Sequence, residues 1–328
     1  MESVAVIIPN YNGKKYLTEC LKSLQKQTFK DFCVIIVDND STDGSKELIK
    51  EMADSSSLDI RLIALNENTG FANAVNVGIR EARSEYVFLL NNDAYCDERA
   101  IAALVNVLDK KPKVFSAQAK MLQYSDHELV DDAGDYYCAL GWAFSPSKDR
   151  KSSLYTKRIN VTSACAGAAM YRRKVFDEIG FFDEVHFCYL EDVDVGYRAR
   201  LYGYSNILEP EAIVYHVGSG SSGSRHNAFK VELTASNNLY LIYKNMPVLQ
   251  VILNSPLILL GILIKHVFYM KKGLGKAHIR GLKMGLFKIS KNPGKKVSFN
   301  GARVRSCIEM QLELWINLFV ILGHLGRF

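Results

Sequence analysis

Three polar clusters along the chain carry residue types that could hold a metal ion or move a proton. The first, Asn91-Asn92-Asp93, directly follows the apolar run Tyr86–Leu90. One carboxylate beside two amides offers oxygen ligands, which magnesium and manganese prefer. The same residues are also good turn formers after any strand. This cluster alone therefore leaves a metal site and a simple turn equally open.

The other two features are a cluster of acidic residues and a single histidine. Glu191, Asp192 and Asp194 stand at the predicted start of a helix, where the helix dipole stabilises carboxylates, so helix capping is the ordinary explanation. The functional alternative is that one carboxylate points into a pocket as a general base. His216 follows an apolar run. A single histidine there is more often structural, but opposite Asp93 it would be a sensible further metal ligand.

Short apolar runs at residues 4–9, 33–37 and 86–90 predict the strands that position these clusters. The segments between them have helical spacing, and this alternation predicts a parallel sheet with right-handed crossovers. Because ligands bind beyond the carboxyl ends of parallel strands, polar residues at three successive strand ends predict a shared pocket. These residues are Asn10, Asn12, Asp38, Asp40, Asn91 and Asp93.

Two local predictions concern the edges of these elements. The helix after the second strand is expected to be capped by Ser41 or Thr42. Residues 207–208 and 212–215 are expected to form two strands joined by a turn at Pro210.

Several site classes are disfavoured by what the sequence lacks. It contains no GxxxxGK[ST] and therefore no P-loop. Its one stretch with GxGxxG spacing, GSGSSG at residues 218–223, is a Gly/Ser-rich run that we do not expect to be a dinucleotide fingerprint. Its seven cysteines are scattered without a CxxC pair. This argues against a zinc site or a disulfide framework and indicates a reducing compartment.

The positive charge is confined to the C-terminal quarter. Residues 241–328 contain 14 Lys+Arg and 2 Asp+Glu, a net +12, whereas residues 1–240 contain 27 and 33, a net −6. Two apolar segments, residues 248–268 and 308–325, lie in the same quarter, the first interrupted by Asn254-Ser255-Pro256. Basic and apolar character together indicate a membrane surface. No nucleic-acid motif is present, so we expect no nucleic-acid partner. A helical hairpin packed on a soluble domain remains the alternative.

Nine segments occur in order through residues 3–240: IIPNYNG, VDNDSTDG, NTGFANAVNVG, LLNNDA, DDAG, CAGAAMYRR, GFFDE, YLEDVDVGYRARLYGY and HVGSGSSG. Together they resemble the family 2 inverting glycosyltransferases of the GT-A fold, and in particular the rhamnosyltransferase-like branch. The resemblance implies an α/β fold, a mostly parallel sheet flanked by helices, over residues 1–240. Residues 241–328 would be a basic, apolar helical region that associates with the membrane.

The resemblance also implies an activity. The enzyme would move a sugar, best guessed as L-rhamnose from dTDP-rhamnose, to a hydroxyl of a lipid-linked or polysaccharide acceptor in cell-envelope glycan synthesis. Such an enzyme would lie at the cytoplasmic face of the cell membrane, as a peripheral, re-entrant or single-span protein. Two alternatives stay open: transfer of another hexose from a UDP-sugar, and a catalytically silent glycosyltransferase-like assembly module.

Site roles carry over by position in the motifs. Asp192 matches the general base. The donor and nucleotide contacts are expected at Pro9, Tyr11, Asp38, Asn68, Gly70, Asn73, Asn92 and Asp93. The acceptor or sugar contacts are expected at Asp131, Asp132 and Glu191. Asp93 and His216 would hold a divalent cation, magnesium or manganese. Asn91 stands where the family's DxD element has its first acid, which lowers the charge of the site.

Overall fold

The computed structural model describes residues 2–218 and 227–325. Residues 219–223 of the HVGSGSSG segment therefore lie outside the described residues. The strands are β1 Val4–Asn10, β2 Phe32–Asp38, β3 Ile60–Ala64, β4 Tyr86–Leu90, β5 Ala94–Cys96, β6 Val114–Gln123, β7 Asp126–Asp132, β8 Tyr136–Cys138, β9 Trp142–Phe144, β10 Ile159–Val161, β11 Ala168–Arg172 and β12 Ser205–His216. The α-helices are α1 Lys14–Gln25, α2 Ser45–Ser55, α3 Gly70–Glu81, α4 Ala100–Lys110, α5 Val175–Ile179, α6 Glu191–Leu201, α7 Ala228–Asn245, α8 Val248–Lys271, α9 Gly275–Lys291 and α10 Val304–Leu325.

Ten of the strands form one sheet. Strands β3, β2, β1 and β4 lie in that order and are all parallel. Strand β11 is antiparallel between β4 and β6, and β12 runs parallel to β6. Strands β5, β7 and β10 add antiparallel edges, and β8 pairs with β9 in a separate hairpin. The predicted α/β class, with parallel strands at its centre, is confirmed.

Both faces of the central strands are covered, which explains their unbroken apolar runs. In β1, Val6 and Ile8 face the layer that contains α1 and α4, whereas Ala5 and Ile7 face α3 and α6. Gly78 lets α3 approach closely, because a Cβ at that position would lie 2.5 Å from the Ile7 side chain. Burial of both faces leaves only the strand ends free for polar residues.

Two local predictions were wrong. Helix α2 begins at Ser45 after Gly44, and the Ser41 hydroxyl instead lies 3.2 Å from Nδ2 of Asn10 and accepts from the Asn12 amide. The segment around Pro210 is one strand, β12, and not two strands with a turn. The pairing of β12 with β6 is irregular here and skips residues 210–212. Pro210, which has no backbone N–H, is therefore not required to donate a hydrogen bond to β6.

The C-terminal helices lie against the domain that contains the sheet. Helix α7 runs through residues 240 and 241, so the predicted division of the chain falls inside a helix and stays a prediction. Helix α8 continues through Pro256. Helices over Val248–Lys271 and Gly301–Gly323 are long and apolar enough to cross a membrane, by length and composition only.

Candidate active site

A chain of buried side chains joins the ends of β2, β1 and β4. Nδ2 of Asn10 donates to Asp38 at 2.7 Å, and Oδ1 of Asn10 accepts from Asn92 at 2.7 Å. Asp38 also accepts from the Ser41 amide at 2.9 Å. These contacts form because the three strand ends are neighbours in the sheet. We call Asn10, Asp38, Asn39, Asn68 and Asn92 the amide edge.

The amide edge continues to the start of α3. Nδ2 of Asn39 donates to Asn68 at 2.9 Å, and Asn68 accepts from the Gly70 amide at 3.0 Å. Gly70 has φ of +84°, and a Cβ there would lie 2.5 Å from Phe187. Glycine is therefore required at this turn both by its backbone angle and by the close approach.

A second group of contacts surrounds His216 at the end of β12. Its Nε2 lies 3.2 Å from Asp93 and its Nδ1 lies 2.7 Å from Asp131. Asn91 lies 3.4 Å from the same Nε2. Burial would lower the pKa of His216, but the hydrogen bonds to Asp131 and Asp93 outweigh it and raise that pKa to about 9. The imidazole is therefore cationic between two carboxylates at neutral pH.

Four acids, Asp132, Asp135, Glu191 and Asp192, form what we call the acid cluster. Asp192, in the first turn of α6, accepts from the Val193 amide at 2.8 Å and from the Ala166 amide at 3.3 Å. Burial raises the pKa of Asp192 to about 6, and the charge of Asp132 adds to the effect. A carboxylate with a pKa near the working pH can accept a proton and later release it.

The pKa values of the other three acids in the cluster are raised as well. Burial raises the pKa of Asp132, although Gln118 donates to it at 2.6 Å. Burial and the charges of Asp132 and Asp192 raise the pKa of Asp135 well above its usual range. Burial and then Asp192 do the same to the pKa of Glu191, whose Oε2 has no hydrogen-bond partner among the described residues. The cluster thus disfavours ionisation of all four carboxyl groups at once.

Within the described part of the chain, two places bring together side chains that could bind a metal ion. Asp135, Cys165 and Asp192 have ligand atoms within 4.8 Å of one another. Burial raises the pKa of the Cys165 thiol well above its usual range, so this group lacks the thiolate that binds metal. Asp93 and His216 fit better, because Asp131 orients the imidazole as carboxylates do behind metal-bound histidines.

The predicted site residues fall into three places. Asp38, Asn68, Gly70 and Asn92 belong to the amide edge or touch it. Half-buried Pro9 and Asn73 and exposed Tyr11 lie on or beside β1 and α3. Asp93 and His216 are in contact, whereas Asp132, Glu191 and Asp192 belong to the acid cluster.

Asp131 departs from its expected surroundings. Its carboxylate is engaged by His216 and Lys148, which together lower its pKa to about 2 against the effect of burial. It therefore faces the predicted metal site, while an acceptor contact at Asp131 stays a prediction.

Sequence reasoning missed Asp135, Asn39 and Gln118. Only Asp135 had a usable signal, since it directly follows the segment DDAG.

Comparison with known proteins agrees with this geometry. The profile described as Glycosyl transferase family 2 matches residues 5–180, more than half of the chain. The chain therefore belongs to glycosyl transferase family 2, as predicted.

Two relatives and one solved structure are informative. N-acetylglucosaminyl-diphospho-decaprenol L-rhamnosyltransferase of Mycobacterium tuberculosis is 26% identical over 241 residues, covering 66% of this chain and 77% of that protein. Teichoic acid poly(glycerol phosphate) polymerase of Staphylococcus epidermidis is 38% identical over 110 residues, covering 34% of this chain and only 15% of the polymerase. Mannosyltransferase PcManGT from Pyrobaculum calidifontis, solved with GDP-Man and Mn2+, has a TM-score of 0.55 and 17% identity, covering 99% of this chain and 87% of that one. The last likeness shows the fold alone, and it supports the GT-A assignment.

Proposed function

We propose that this protein is an inverting glycosyltransferase that moves a sugar from a nucleoside diphosphate to a hydroxyl group of a cell-envelope glycan acceptor. The observation that carries the proposal is Asp192, a half-buried carboxylate in the first turn of α6 whose pKa is raised to about 6. An acid with these properties is suited to take a proton from an alcohol near neutral pH.

The reaction is a single displacement. Asp192 accepts the proton of the acceptor hydroxyl, and the acceptor oxygen forms a bond to the anomeric carbon. The bond from that carbon to the diphosphate oxygen breaks on the opposite face, and the diphosphate leaves with the electron pair. Attack opposite the leaving group inverts the anomeric configuration. Burial holds the pKa of Asp135 and of Glu191 well above the usual range, so these two acids favour the neutral form and are poorer candidates for the base than Asp192.

The amide edge would bind the nucleotide. Its members hydrogen-bond one another, so their positions are set before a ligand arrives, and exposed Tyr11 stands at its rim. Contacts of Pro9, Asp38, Asn68, Gly70 and Asn73 with base and ribose remain proposals. So do sugar contacts from Asp131, Asp132 and Glu191.

Asp93 and His216 would hold a divalent cation, magnesium or manganese. When bound there, the cation would offset the negative charge of the leaving diphosphate. The side chains present suit it: a carboxylate, an imidazole whose second nitrogen contacts Asp131, and the Asn91 amide beside them. His216 must lose its proton before it can bind the cation, so metal affinity should rise with pH.

L-Rhamnose from dTDP-rhamnose is the first candidate donor. Its support is the 26% identity to the L-rhamnosyltransferase, which also covers 77% of that relative. That relative's name includes a decaprenol-linked sugar, which supports a lipid-linked acceptor here. Another hexose from a UDP-sugar is the alternative, since no residue described above selects the sugar. A catalytically silent module is disfavoured, because Asp93, Asp192 and His216 are all present.

A donor screen tests the proposal. The purified chain, in mild detergent with manganese or magnesium, is offered dTDP-rhamnose and UDP-linked hexoses, with and without a membrane lipid extract. We expect release of nucleoside diphosphate from dTDP-rhamnose that needs the extract and stops with chelator. Release of UDP from a UDP-sugar instead would leave the proposed displacement mechanism in place and change the assigned donor. Absence of release from every donor by the folded chain would favour the silent module.

We also propose that α8 and α10 lie in the membrane interface rather than across the bilayer. Each has one face against the catalytic domain: Gln250 accepts from Tyr197 at 2.8 Å, and Trp142 donates to the Gly261 carbonyl at 3.2 Å. From α10, Asn317 donates to the Tyr137 carbonyl at 2.9 Å. Gln250 and Gly261 are 11 positions apart, about 16 Å of helix at 1.5 Å per residue, so α8 follows the domain surface over that length.

The outer faces of both helices are apolar and wide. Among the described residues, the large apolar side chains that are exposed there include Leu249, Leu253, Leu260, Leu263, Ile316 and Phe319. Exposed apolar area of this extent, flanked by the basic residues of α9, suits the cytoplasmic surface of an anionic membrane.

Vesicle binding distinguishes the arrangements. We expect the chain to sediment with phosphatidylglycerol vesicles more than with phosphatidylcholine vesicles, and to be released from membranes by alkaline carbonate. The pair Ile316→Ser and Phe319→Ser should weaken binding, whereas Leu154→Ser, an exposed leucine outside these helices, should not. Resistance to carbonate would indicate a spanning helix, and absence of vesicle binding by the parent chain would favour a soluble helical hairpin. Binding unchanged by the paired substitution would place the membrane contact outside the α10 face.

A further inference from the structure

The turn that leads into α6 is strained although it contains no glycine. Phe187, Tyr189 and Leu190 have φ of 63°, 70° and 67°, in the left-handed region that residues with a Cβ rarely adopt. Such backbone persists only where its surroundings over-determine it, and it is often found beside functional sites. The turn ends two residues before Asp192.

One side chain of α7 holds this turn. Nδ2 of Asn237 lies 2.9, 2.9 and 2.7 Å from the carbonyl oxygens of His186, Cys188 and Tyr189. Lys288 of α9 donates to Oδ1 of the same amide at 2.5 Å. The lysine fixes the orientation of the amide, because a flipped amide would place Oδ1 against three carbonyl oxygens and Nδ2 against a cation.

The residues on either side of the turn are held from the same direction. Asp183 accepts from Lys244 and from Lys295 at 2.8 Å each. Asp194 accepts from Lys244 and from Asn245 at 2.9 Å each. These partners all lie between residues 237 and 295, outside the region that the family profile covers.

The turn contacts both halves of the proposed site. The Phe187 carbonyl accepts from the Ala72 amide at 3.1 Å, and its ring fills the space beside Gly70 at the start of α3. The Leu190 carbonyl accepts from the Asp194 amide at 2.9 Å, in the first turn of α6. A shift of this turn would therefore move the end of the amide edge and the backbone that carries Asp192 together.

We propose that Asn237 and Lys288 are positioning residues for glycosyl transfer: through the turn at residues 187–190 they set the place of Asp192 and of the start of α3. The inference rests on the proposed role of Asp192 as the base. It gives the C-terminal helices a second task, since α7 and α9 then form part of the scaffold of the active site in addition to any contact with a membrane.

A pH profile distinguishes positioning from simple stabilisation. If the turn loosens, Asp192, which is now half-buried, becomes more exposed to water, and its raised pKa falls toward that of an exposed carboxyl group. The acid limb of kcat/KM should then move to lower pH. The titratable groups that face Asp192 are Asp132, Asp135, Cys165, Tyr171, Cys188 and Glu191.

The test compares Lys288→Met with Lys283→Met in the full chain. Both remove one positive charge from α9, but Lys283 is exposed, whereas Lys288 contacts Asn237. For Lys288→Met we expect kcat to fall about ten- to a hundredfold, as small misplacements of reacting groups do. We also expect the acid limb of the kcat/KM profile to move to lower pH. The backbone amides of residues 186–194 should exchange hydrogen faster. Lys283→Met should resemble the parent protein in all three measurements.

Asn237→Ala should change the same measurements in the same direction and further. If it fails to fold, Lys288→Met decides the question. The inference is overturned if Lys288→Met keeps the parent kcat, acid limb and exchange rates, or if its activity falls only in proportion to the folded fraction. Turnover is followed with dTDP-rhamnose, or with the donor that the screen supports. Asp192→Asn in the same assay separates the claims: activity retained there refutes the base, while hydrogen exchange still tests the positioning residues.

Discussion

The amide edge and the acid cluster differ in how their polar side chains are stabilised. At the amide edge, Asn10 donates to Asp38 and accepts from Asn92, so the side chains satisfy one another. In the acid cluster, burial raises the pKa of Glu191 and Asp192. Satisfied networks are rigid, whereas burial of a carboxyl group raises its pKa toward the range in which it can accept and release a proton near neutral pH. The difference matches the proposed division of labour: one half binds, and the other moves a proton.

The largest expected effect is loss of the base. Asp192→Asn keeps the shape of the side chain but removes its ability to accept a proton, so we expect kcat to fall by about 10²–10⁴-fold. Donor affinity, measured by calorimetry with the nucleotide sugar, should change little, because the amide edge is untouched. In the parent enzyme, activity should fall as pH drops through about 6, where Asp192 becomes protonated. A variant with most of its turnover would contradict the assignment.

The next effect concerns the metal. Chelator should abolish turnover, and Asp131→Asn should raise the metal concentration for half-maximal activity about 10–100-fold, since such outer carboxylates orient histidine ligands. At saturating metal, kcat should largely recover. Asp126→Asn, an exposed position on the same strand, is the matched control. Equal metal requirements in the two variants would place the cation elsewhere.

A smaller effect is expected from crowding the amide edge. A Cβ at Gly13 would lie 1.9 Å from Nδ2 of Asn92 and 2.5 Å from Oδ1 of Asn10. Gly13→Ala must therefore displace Asn92 and break its contact with Asn10, and we expect the KM for the donor to rise about tenfold, the effect of roughly one lost hydrogen bond. Gly301→Ala, with nothing within 4 Å of its Cβ, should leave KM unchanged. If both variants bind donor normally, the amide edge is not the donor site.

The smallest effect is on the free energy of unfolding, and its sign should differ between a substitution in the acid cluster and one in the amide edge. The folded pKa of Asp192, about 6, exceeds its unfolded value, so ionisation costs the native state stability above that pH. Asp192→Asn should therefore raise the free energy of unfolding at pH 8 by up to about 3 kcal/mol, and the gain should vanish below pH ~4. Asp38→Asn should lower it by about 1–3 kcal/mol, because the new amide group faces existing donors. Urea unfolding at pH 8 and below pH ~4 measures the free energy of unfolding of both variants. If both substitutions changed it in the same direction at pH 8, the difference between the acid cluster and the amide edge would be refuted.

Much of the amide edge could be predicted from the sequence. Unbroken apolar runs located β1, β2 and β4, and the polar residues after them met because neighbouring parallel strands end at one edge. The capping prediction at Ser41 failed for a related reason: its hydroxyl lies against Asn10 and Asn12, contacts that exist only once the strands are paired.

The support of the acid cluster could not be predicted. Asn237 contacts carbonyl groups 48–51 positions earlier, and Lys288 contacts Asn237 51 positions later. An asparagine or lysine inside a helix has no periodic pattern that indicates such a partner. The strain in residues 187–190 is equally invisible, since Phe187, Tyr189 and Leu190 are not residues that favour positive φ.

The central claim is a single displacement with Asp192 as base, and the configuration of the product tests it most directly. The glycoside made from the donor that the screen identifies is examined by NMR, through the one-bond carbon–hydrogen coupling at the anomeric centre. The account predicts a product of configuration opposite to that of the donor. A product with the donor's configuration would be incompatible with a single displacement from the opposite face, and would contradict the proposed role of Asp192.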